Sequence, residues 1–340
     1  MNSKLPSLES KIAFLSQAGS YPGAVHRVEC IETHMSWVFL AGNFAYKLKK
    51  PVSTDFFDFR TVAGRRYYCG EELRLNRRLA RAIYIDLVPL VLDISGHLHV
   101  GGDAPAVDWL IRMHRVPAWL MLDFAIAHHR ASAHDADRIA KALTNFYQSL
   151  PAERITSLAY LSRFTQQIAS NRAELHDQAY GFPPARIDVL CDTQSDALGV
   201  LGALLEARSE QGDLVEGHGD LRPEHVCLLP EIAVIDCLEF SRELRVLDKV
   251  DEVGYLALEC ERLGAPAISA ALAAAYQKYS GDRPSAPLVH FYQSCRACKR
   301  ALLALRHLKE EKFRFSPHWR RVASAYLDLA LEHALACRAR

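Results

Sequence analysis

The stretch 214–240 carries the side chains of this chain that are best suited to metal-assisted chemistry. Two short runs of β-branched and aliphatic residues flank Pro230 and Glu231, and this pattern predicts a β-hairpin. A symmetric turn would place His225 opposite Asp236, with the two side chains about 5 Å apart on a shared face. The sequence therefore predicts that an imidazole and a carboxylate meet at the open end of the hairpin.

A second carboxylate, Asp220, lies just upstream on a polar loop that enters the same hairpin. Metal-assisted phosphoryl transfer needs one carboxylate that accepts or orients a hydroxyl proton, and other ligands that hold divalent cations against the phosphates. Asp220 is the candidate for the first task, and His225 and Asp236 are the candidates for the second. Glu239 follows Asp236 by three residues and is a further candidate as a metal ligand or as a supporting contact.

Another group of candidate residues lies in the N-terminal third. The run 44–49 alternates aromatic and aliphatic residues with Ala45 and two lysines, so a strand there places Lys47 and Lys49 on one face. The helical pattern that follows places Glu72 on its apolar stripe, where a carboxylate requires a cation. Glu71 stays an alternative partner. The competing interpretations are a solvated sheet face for the lysines and a surface ion pair for the glutamate.

The segment 218–226, HGDLRPEHV, resembles the protein-kinase loop H-R-D-L-x-x-x-N, and Asp236 stands where the metal-binding aspartate of D-F-G would stand. The glycine after His218 and the sequence Asp-Cys-Leu-Glu are more similar to the aminoglycoside phosphotransferase and choline kinase-like superfamily. The chain is therefore identified as a member of a bacterial branch of that superfamily. Three N-terminal segments also match it: ETH at 32–34, AYKLKKP at 45–51 and ELRLNRRL at 72–79.

The resemblance implies an α+β, bilobal protein kinase-like fold. Its small antiparallel-sheet N-lobe would occupy residues 1–115, and its mostly helical C-lobe, which includes the catalytic loop and hairpin, would occupy 116–340. It also implies that ATP binds with Mg²⁺ or Mn²⁺. Lys47 is aligned with the lysine that contacts the phosphates, Lys49 is the alternative, and Glu72 is the acidic partner from the helix.

The resemblance assigns further roles within the large lobe. It implies that Arg222 contacts a phosphate and that His218 braces the loop by hydrogen bonding. Asp248 or Asp251 resembles the buried aspartate that holds the backbone N–H groups of the catalytic loop, although helix capping would explain either residue. The family pattern has Asn where this chain has His225, and an imidazole suits Mn²⁺ or Zn²⁺ better than Mg²⁺.

Composition excludes several classes of protein. The chain has 340 residues, a formal net charge of +1, 50% hydrophobic residues and 24% charged residues, which excludes a disordered acidic chain and a strongly basic nucleic-acid binder. No apolar run of about 18 residues and no signal peptide is present, so we expect a cytoplasmic protein without a membrane partner. The nine scattered cysteines favour reduced thiols. The sequence contains neither a P-loop nor a G-x-G-x-x-G motif.

Three hypotheses follow from these patterns. The first is a phosphotransferase that moves the γ-phosphoryl group of ATP to a hydroxyl of a small molecule. The second is a Mn²⁺- or Zn²⁺-dependent hydrolase, and the third is a catalytically weak kinase-like protein that binds nucleotide for regulation. The sequence indicates neither the acceptor nor the oligomeric state. In the hydrolase hypothesis the metal ligands would be His218, Asp220, His225 and Asp236.

Overall fold

Alternating apolar residues predict a sheet in the N-terminal third, and the computed structural model contains it. The structure describes residues 5–54, 56–310 and 316–338. It divides the chain into two units, and the predicted lobe boundary after residue 115 stays a prediction. The first unit consists of Met1–Met121 and His225–Leu244, and the second consists of Leu122–Glu224 and Arg245–Arg340.

The first unit opens with helix α1 (Leu8–Leu15), whose N-cap Ser7 accepts a hydrogen bond from the backbone N–H of Ser10. Strands and a second helix follow along the chain. They are β1 (Val28–Glu32), β2 (Ser36–Ala41), β3 (Phe44–Lys49), β4 (Ser53–Thr54), β5 (Phe57–Asp58), α2 (Val62–Asn76), β6 (Tyr84–Leu92), β7 (Leu98–Val100) and β8 (Ala106–His114).

Within the described residues, six of these strands form one antiparallel sheet in the order β1-β2-β3-β8-β6-β7. Strands β2 and β3 form a hairpin, with Ala41 opposite Phe44. Gly42 in the connecting turn has a φ of +59°, a conformation that glycine adopts without steric cost. Helix α2 packs against β6 and β8, so its inward side chains reach the central strands of the sheet.

The chain from residue 122 onward is mostly helical, as the 3.6-residue periodicity predicts. Its helices are α3 (Leu122–Ala127), α4 (Ala133–Ser149), α5 (Ser157–Leu175), α6 (Pro184–Gln211), α7 (Arg242–Arg245), α8 (Lys249–Arg262), α9 (Pro266–Ser280), α10 (Ala286–Arg306) and α11 (Pro317–Ala336). Its strands are β9 (Leu214–Glu216), β10 (Val226–Cys227), β11 (Ala233–Val234) and β12 (Val246–Asp248).

The predicted catalytic hairpin is present, but its predicted register is wrong. Strand β10 pairs with β11 so that Val226 faces Val234, whereas a symmetric turn at residues 230 and 231 would pair Val226 with Ile235. The strands are also shorter than the predicted runs 226–229 and 232–235. Five residues, 228–232, separate the two strands, so the connection is longer than a two-residue hairpin loop.

The predicted α+β, protein kinase-like fold class is confirmed. The helices of the second unit share an apolar core to which α5, α6, α8, α10 and α11 contribute buried side chains. The sheet of the first unit has its own core around Phe39, Tyr46 and Leu110. No helix in the described part of the chain is both long enough and apolar enough to cross a lipid bilayer.

Candidate active site

The two lysines of β3 contact the same glutamate of α2. Because strand side chains alternate between faces, Lys47 and Lys49 lie on one face of β3. Lys47 Nζ lies 2.8 Å from Glu72 Oε1, and Lys49 Nζ lies 2.6 Å from Glu72 Oε2. Glu72 is fully buried, and each of its oxygens accepts from one ammonium. Glu71 instead pairs with Arg74 on the outer face of α2.

Each lysine has a second carboxylate partner from the segment that follows β11. Lys47 Nζ lies 2.7 Å from Asp236 Oδ1, and Lys49 Nζ lies 2.5 Å from Glu239 Oε1. The exposed fraction of the side chain is 13% for Lys47 and 1% for Lys49, whereas 48% of the Asp236 side chain is exposed. Two ammonium groups and three carboxylates therefore form one cluster, and solvent reaches it at Lys47 and Asp236.

Charge pairing outweighs burial at Lys47 and at Glu72. Burial lowers the pKa of Lys47, but Asp236 and Glu72 outweigh burial and raise that pKa well above its usual value. Burial likewise raises the pKa of the Glu72 carboxyl, and the two lysines reverse the shift, so this pKa is lowered. Glu239 differs, because burial dominates over Lys49 and raises its pKa. Glu239 is thus the member of the cluster that takes up a proton most readily.

The backbone at Asp236 is held in an unusual conformation. Its φ is +63°, in the left-handed region that few non-glycine residues occupy and where aspartate is one of the more frequent ones. The Asp236 N–H donates to Tyr84 Oη at 3.2 Å, and the Cys237 N–H donates to Asn76 Oδ1 at 3.0 Å. Asn76 Nδ2 in turn donates to the Glu72 carbonyl at 2.8 Å. Helix α2 and strand β6 therefore position the carboxylate of Asp236.

His225 and Asp236 form a possible donor pair for a divalent cation. His225 Nε2 lies 3.7 Å from Asp236 Oδ2, although the hairpin register places the His225 carbonyl opposite the Ile235 N–H. The pair offers one imidazole nitrogen and one carboxylate oxygen, a mixed set that suits Mn²⁺ better than Mg²⁺. Burial raises the pKa of the Asp236 carboxyl, but Lys47 and His225 outweigh burial and lower it, so Asp236 is ionised and can act as a ligand.

Asp220 lies in the second unit, at the start of the loop after β9. Arg222 Nε donates to Asp220 Oδ2 at 3.0 Å, and Tyr255 Oη donates to Asp220 Oδ1 at 3.1 Å. Arg222 also forms an ion pair with Glu224. His218 is 1% exposed, and its Nδ1 accepts from the Asp220 N–H at 3.3 Å, which is a bracing contact. The carboxylate of Asp220 is thus held by side chains on both oxygens.

The predicted role of Asp248 or Asp251 as the holder of the loop backbone is wrong, because a different carboxylate has this position. Glu252 Oε1 accepts from the N–H groups of His218 at 2.9 Å and Gly219 at 2.6 Å. Tyr147 Oη donates to its second oxygen at 2.9 Å. Asp251 pairs with an arginine of α10, and Asp248 caps α8 and pairs with an arginine of α6.

Glycines allow Glu252 to approach the loop this closely. A side chain at Gly217 would place its Cβ 2.5 Å from Glu252 Oε2, so a larger residue would displace the carboxylate. Gly219 has a φ of +87°, which favours glycine. Burial raises the pKa of Glu252, while the loop N–H groups and Tyr147 oppose that shift. This part of the loop is thus fixed by one buried carboxylate.

The structure brings most of the predicted site residues together within their own units. Lys47, Lys49, Glu72, Asp236 and Glu239 form the cluster of the first unit, and His225 lies beside it. The second unit holds the predicted residues His218, Asp220 and Arg222 in one loop. Sequence reasoning missed the supporting residues Asn76, Tyr84, Tyr147, Glu252 and Tyr255.

Two mycobacterial proteins are similar in sequence to this chain. No family model matches the chain. An uncharacterised protein of Mycobacterium tuberculosis and one of Mycobacterium bovis are each 34% identical to it over 323 residues, which cover 90% of this chain and 59% of the relative. The chain therefore spans about three fifths of the length of these relatives.

Solved structures of the predicted superfamily are similar to this chain. A choline/ethanolamine kinase family protein from Mesorhizobium loti has a TM-score of 0.56 at 15% identity, over 96% of this chain and 98% of that chain. An ethanolamine kinase from Plasmodium vivax has a TM-score of 0.47 at 12% identity, over 89% and 81% of the two chains. The first similarity carries the assignment: this chain has the fold of a choline/ethanolamine kinase-like protein, as its sequence predicts.

Proposed function

We propose that this chain is a phosphotransferase that moves the γ-phosphoryl group of ATP to a hydroxyl of a small molecule with the help of a divalent cation. One observation carries the proposal: Lys47 contacts both Glu72 and Asp236 in a chain with a kinase-like fold. A lysine held by a helix glutamate, next to a metal-binding aspartate, is the arrangement with which kinases bind nucleotide phosphates.

The residues of the first unit would bind the nucleotide. Lys47, rather than Lys49, is the phosphate contact in this proposal, because 13% of its side chain is exposed against 1% for Lys49. Asp236 and His225 would hold the cation, which neutralises negative charge on the phosphates when it is bound. Glu239 pairs with Lys49 in the cluster, so its proposed role is to support the site and not to bind the cation directly.

The residues of the second unit would act on the acceptor. Asp220 would orient the acceptor hydroxyl and accept its proton, a task that requires a fixed carboxylate. Tyr255 and Arg222 hold its two oxygens, and Glu252 fixes the loop before it. We also propose that the Arg222 guanidinium contacts a phosphate, since it is a cation next to the base. His218 would brace the loop, as its buried ring indicates.

A second candidate function is nucleotide binding without efficient turnover. Two observations favour it: His225 stands where the family has Asn, and the Asp236 carboxylate already pairs with the Lys47 ammonium at 2.7 Å. In this case a cation and Lys47 would compete for Asp236. The hydrolase hypothesis receives no such support, because His218 is buried and its Nδ1 accepts from the Asp220 N–H.

The test measures nucleotide binding and phosphoryl transfer separately. Thermal shift with ATP and Mg²⁺ or Mn²⁺ reports binding, since a ligand that binds only the native state raises the melting temperature. Transfer is measured with labelled ATP and a panel of hydroxyl compounds. Lys47→Met should reduce the thermal shift, and Asp220→Asn should abolish transfer while the shift stays. Asp137→Asn, at a partly exposed residue in the same unit as Asp220, is the control.

Each outcome selects one interpretation. Transfer that depends on Asp220 supports the phosphotransferase. A nucleotide-dependent shift without transfer to any member of the panel supports the regulatory alternative. A chain that ATP and cation fail to stabilise, or transfer that is equal in Asp220→Asn and wild type, would refute the proposal.

A further inference from the structure

Helix α10 carries three cations next to the loop that holds Asp220. Lys299 and Arg300 follow Arg296 by three and four residues, so the three cations lie on one side of the helix. Arg296 Nη1 lies 3.4 Å from the Gly219 carbonyl oxygen, which places this side against the loop. The charge of Asp220 acts on both Lys299 and Arg300, as the shifts of their pKa values indicate.

The nearby carboxylates of the second unit already accept hydrogen bonds from other groups. Asp251 forms two hydrogen bonds with Arg296, at 2.8 and 2.7 Å. Glu252 accepts from the loop backbone and from a tyrosine. Glu259 accepts from Tyr326 Oη at 2.7 Å and from an arginine on its own helix at 2.8 Å. None of these three carboxylates forms an ion pair with Lys299.

The two carboxylates of the loop, Asp220 and Glu224, also have partners. Asp220 accepts from Arg222 and Tyr255, and Glu224 forms an ion pair with Arg222. Arg300 lies 3.4 Å from a tyrosine hydroxyl and 3.8 Å from Glu259, so its contacts are long. The guanidinium of Arg300 therefore retains donors for another group.

Among the described residues, Lys299 is the member of this group without a polar partner. It is half-buried, and among the described residues it forms neither a hydrogen bond nor an ion pair. Burial lowers its pKa to about 8, the neighbouring Arg296 contributes to that shift, and Asp220 and Asp251 oppose it. A half-buried ammonium without a counter-charge is unfavourable, and an anionic ligand would relieve this cost.

We propose that Lys299, together with Arg300, binds an acidic substituent of the hydroxyl acceptor, so that the substrate of this chain is a carboxylated or phosphorylated alcohol. The inference rests on the phosphotransfer function proposed above. An ammonium with three donors and a guanidinium fork suit both carboxylate and phosphate oxygens. A cationic acceptor such as an amino alcohol would meet like charge at this position.

The experiment compares matched acceptors that differ in charge. D-Ribose 5-phosphate is paired with D-ribose to test a phosphate group, and D-glycerate is paired with glycerol to test a carboxylate; choline represents a cation. Lys299→Met removes the charge with little change in side-chain volume, and Lys299→Arg preserves the charge. Lys278→Met removes a lysine from the exposed surface of the same unit and is the control.

We expect at least one anionic acceptor to be phosphorylated with a higher kcat/KM than its neutral counterpart. Lys299→Met should raise the KM for that acceptor by about tenfold to a hundredfold, the range of one lost charge-assisted hydrogen bond. The KM for ATP should stay unchanged, and Lys299→Arg should recover most of the loss. The control should behave as wild type. Whichever of ribose 5-phosphate and glycerate has the larger gain in kcat/KM over its neutral counterpart shows whether the site binds a phosphate or a carboxylate.

The failures of the two proposals are distinguishable. Transfer that favours neutral or cationic acceptors, or that is unaffected by Lys299→Met, overturns the inference and leaves the phosphotransferase intact. If none of these acceptors receives a phosphoryl group from ATP, the proposed phosphotransfer to these compounds is refuted. In that case, thermal stabilisation by ribose 5-phosphate or glycerate that Lys299→Met removes still supports the anion site, and no stabilisation by either overturns it.

Discussion

Replacement of Lys49 with Met should destabilise the first unit strongly, although the two side chains have similar lengths. The Lys49 side chain is 1% exposed and bridges Glu72 and Glu239, which are themselves buried. Without it, the single ammonium of Lys47 faces three carboxylates. Removal of one partner from a buried ion pair typically costs roughly 3–5 kcal/mol, because the remaining charge stays desolvated. We expect the free energy of unfolding to fall by about that amount at pH 8.

The neighbouring lysine offers a matched control. Lys50 pairs with Glu32, whose side chain is 45% exposed, and pairs with an exposed partner contribute roughly 0–1 kcal/mol. Urea denaturation of wild type, Lys49→Met and Lys50→Met, monitored by tryptophan fluorescence and circular dichroism, measures both losses. If Lys49→Met loses no more stability than Lys50→Met, the buried cluster does not stabilise the fold in the way argued here.

The pH dependence of this loss has a definite sign. Burial raises the pKa of Glu239 in the folded chain, and Lys49 opposes that shift. Lys49→Met should therefore raise this pKa further. A carboxyl whose folded pKa is raised stabilises the fold at low pH, and that contribution is lost as the pH rises through the folded pKa. The stability deficit of Lys49→Met should thus be largest at pH 8 and shrink towards pH 5. A deficit that grows on acidification would contradict the assignment.

Three other substitutions give separate tests. His225→Asn should shift the metal preference from Mn²⁺ towards Mg²⁺, because an amide oxygen replaces an imidazole nitrogen; phosphoryl transfer measured across a series of both metals checks this. Glu252→Gln should lower stability by about 1–3 kcal/mol in urea denaturation and reduce transfer, because the N–H groups of His218 and Gly219 lose a charged acceptor. Asn76→Ala should lower the Mn²⁺-dependent thermal shift, because it leaves the N–H next to Asp236 without its acceptor.

Much of the first unit could be predicted from the sequence, because the residue repeat of a strand or a helix determines which face each side chain occupies. The two-residue repeat of β3 placed both lysines on one face, and the helical repeat of α2 placed Glu72 inward but kept Glu71 as an alternative, which the structure pairs with Arg74 instead. The sequence could not decide which lysine pairs with Glu72. In the structure both do, since the two carboxylate oxygens accept from neighbouring ammonium groups.

The errors arose where geometry is not periodic. The predicted register of the catalytic hairpin assumed a symmetric two-residue turn, but the five residues 228–232 form a wider connection, and this shifts the pairing by one residue. Glu252 was missed because it lies close to Asp248 and Asp251 at the start of α8. Helix spacing does not show which of the three faces the loop. Gly217 is the available signal, because it removes the Cβ that would clash with Glu252.

The cluster of the first unit explains why two lysines on one strand have different roles. Lys49 is buried between the carboxylates of Glu72 and Glu239, so its replacement should mainly lower the stability of the fold. Lys47 shares Glu72 with Lys49, but its other partner, Asp236, is half-exposed. A cation that binds Asp236 would weaken the contact between Lys47 and Asp236 while Glu72 keeps the ammonium in place. With all three carboxylates ionised, they exceed the two ammonium groups by one charge, and this negative charge favours a divalent cation. Lys47 would then turn its free donors to the phosphates that accompany that cation.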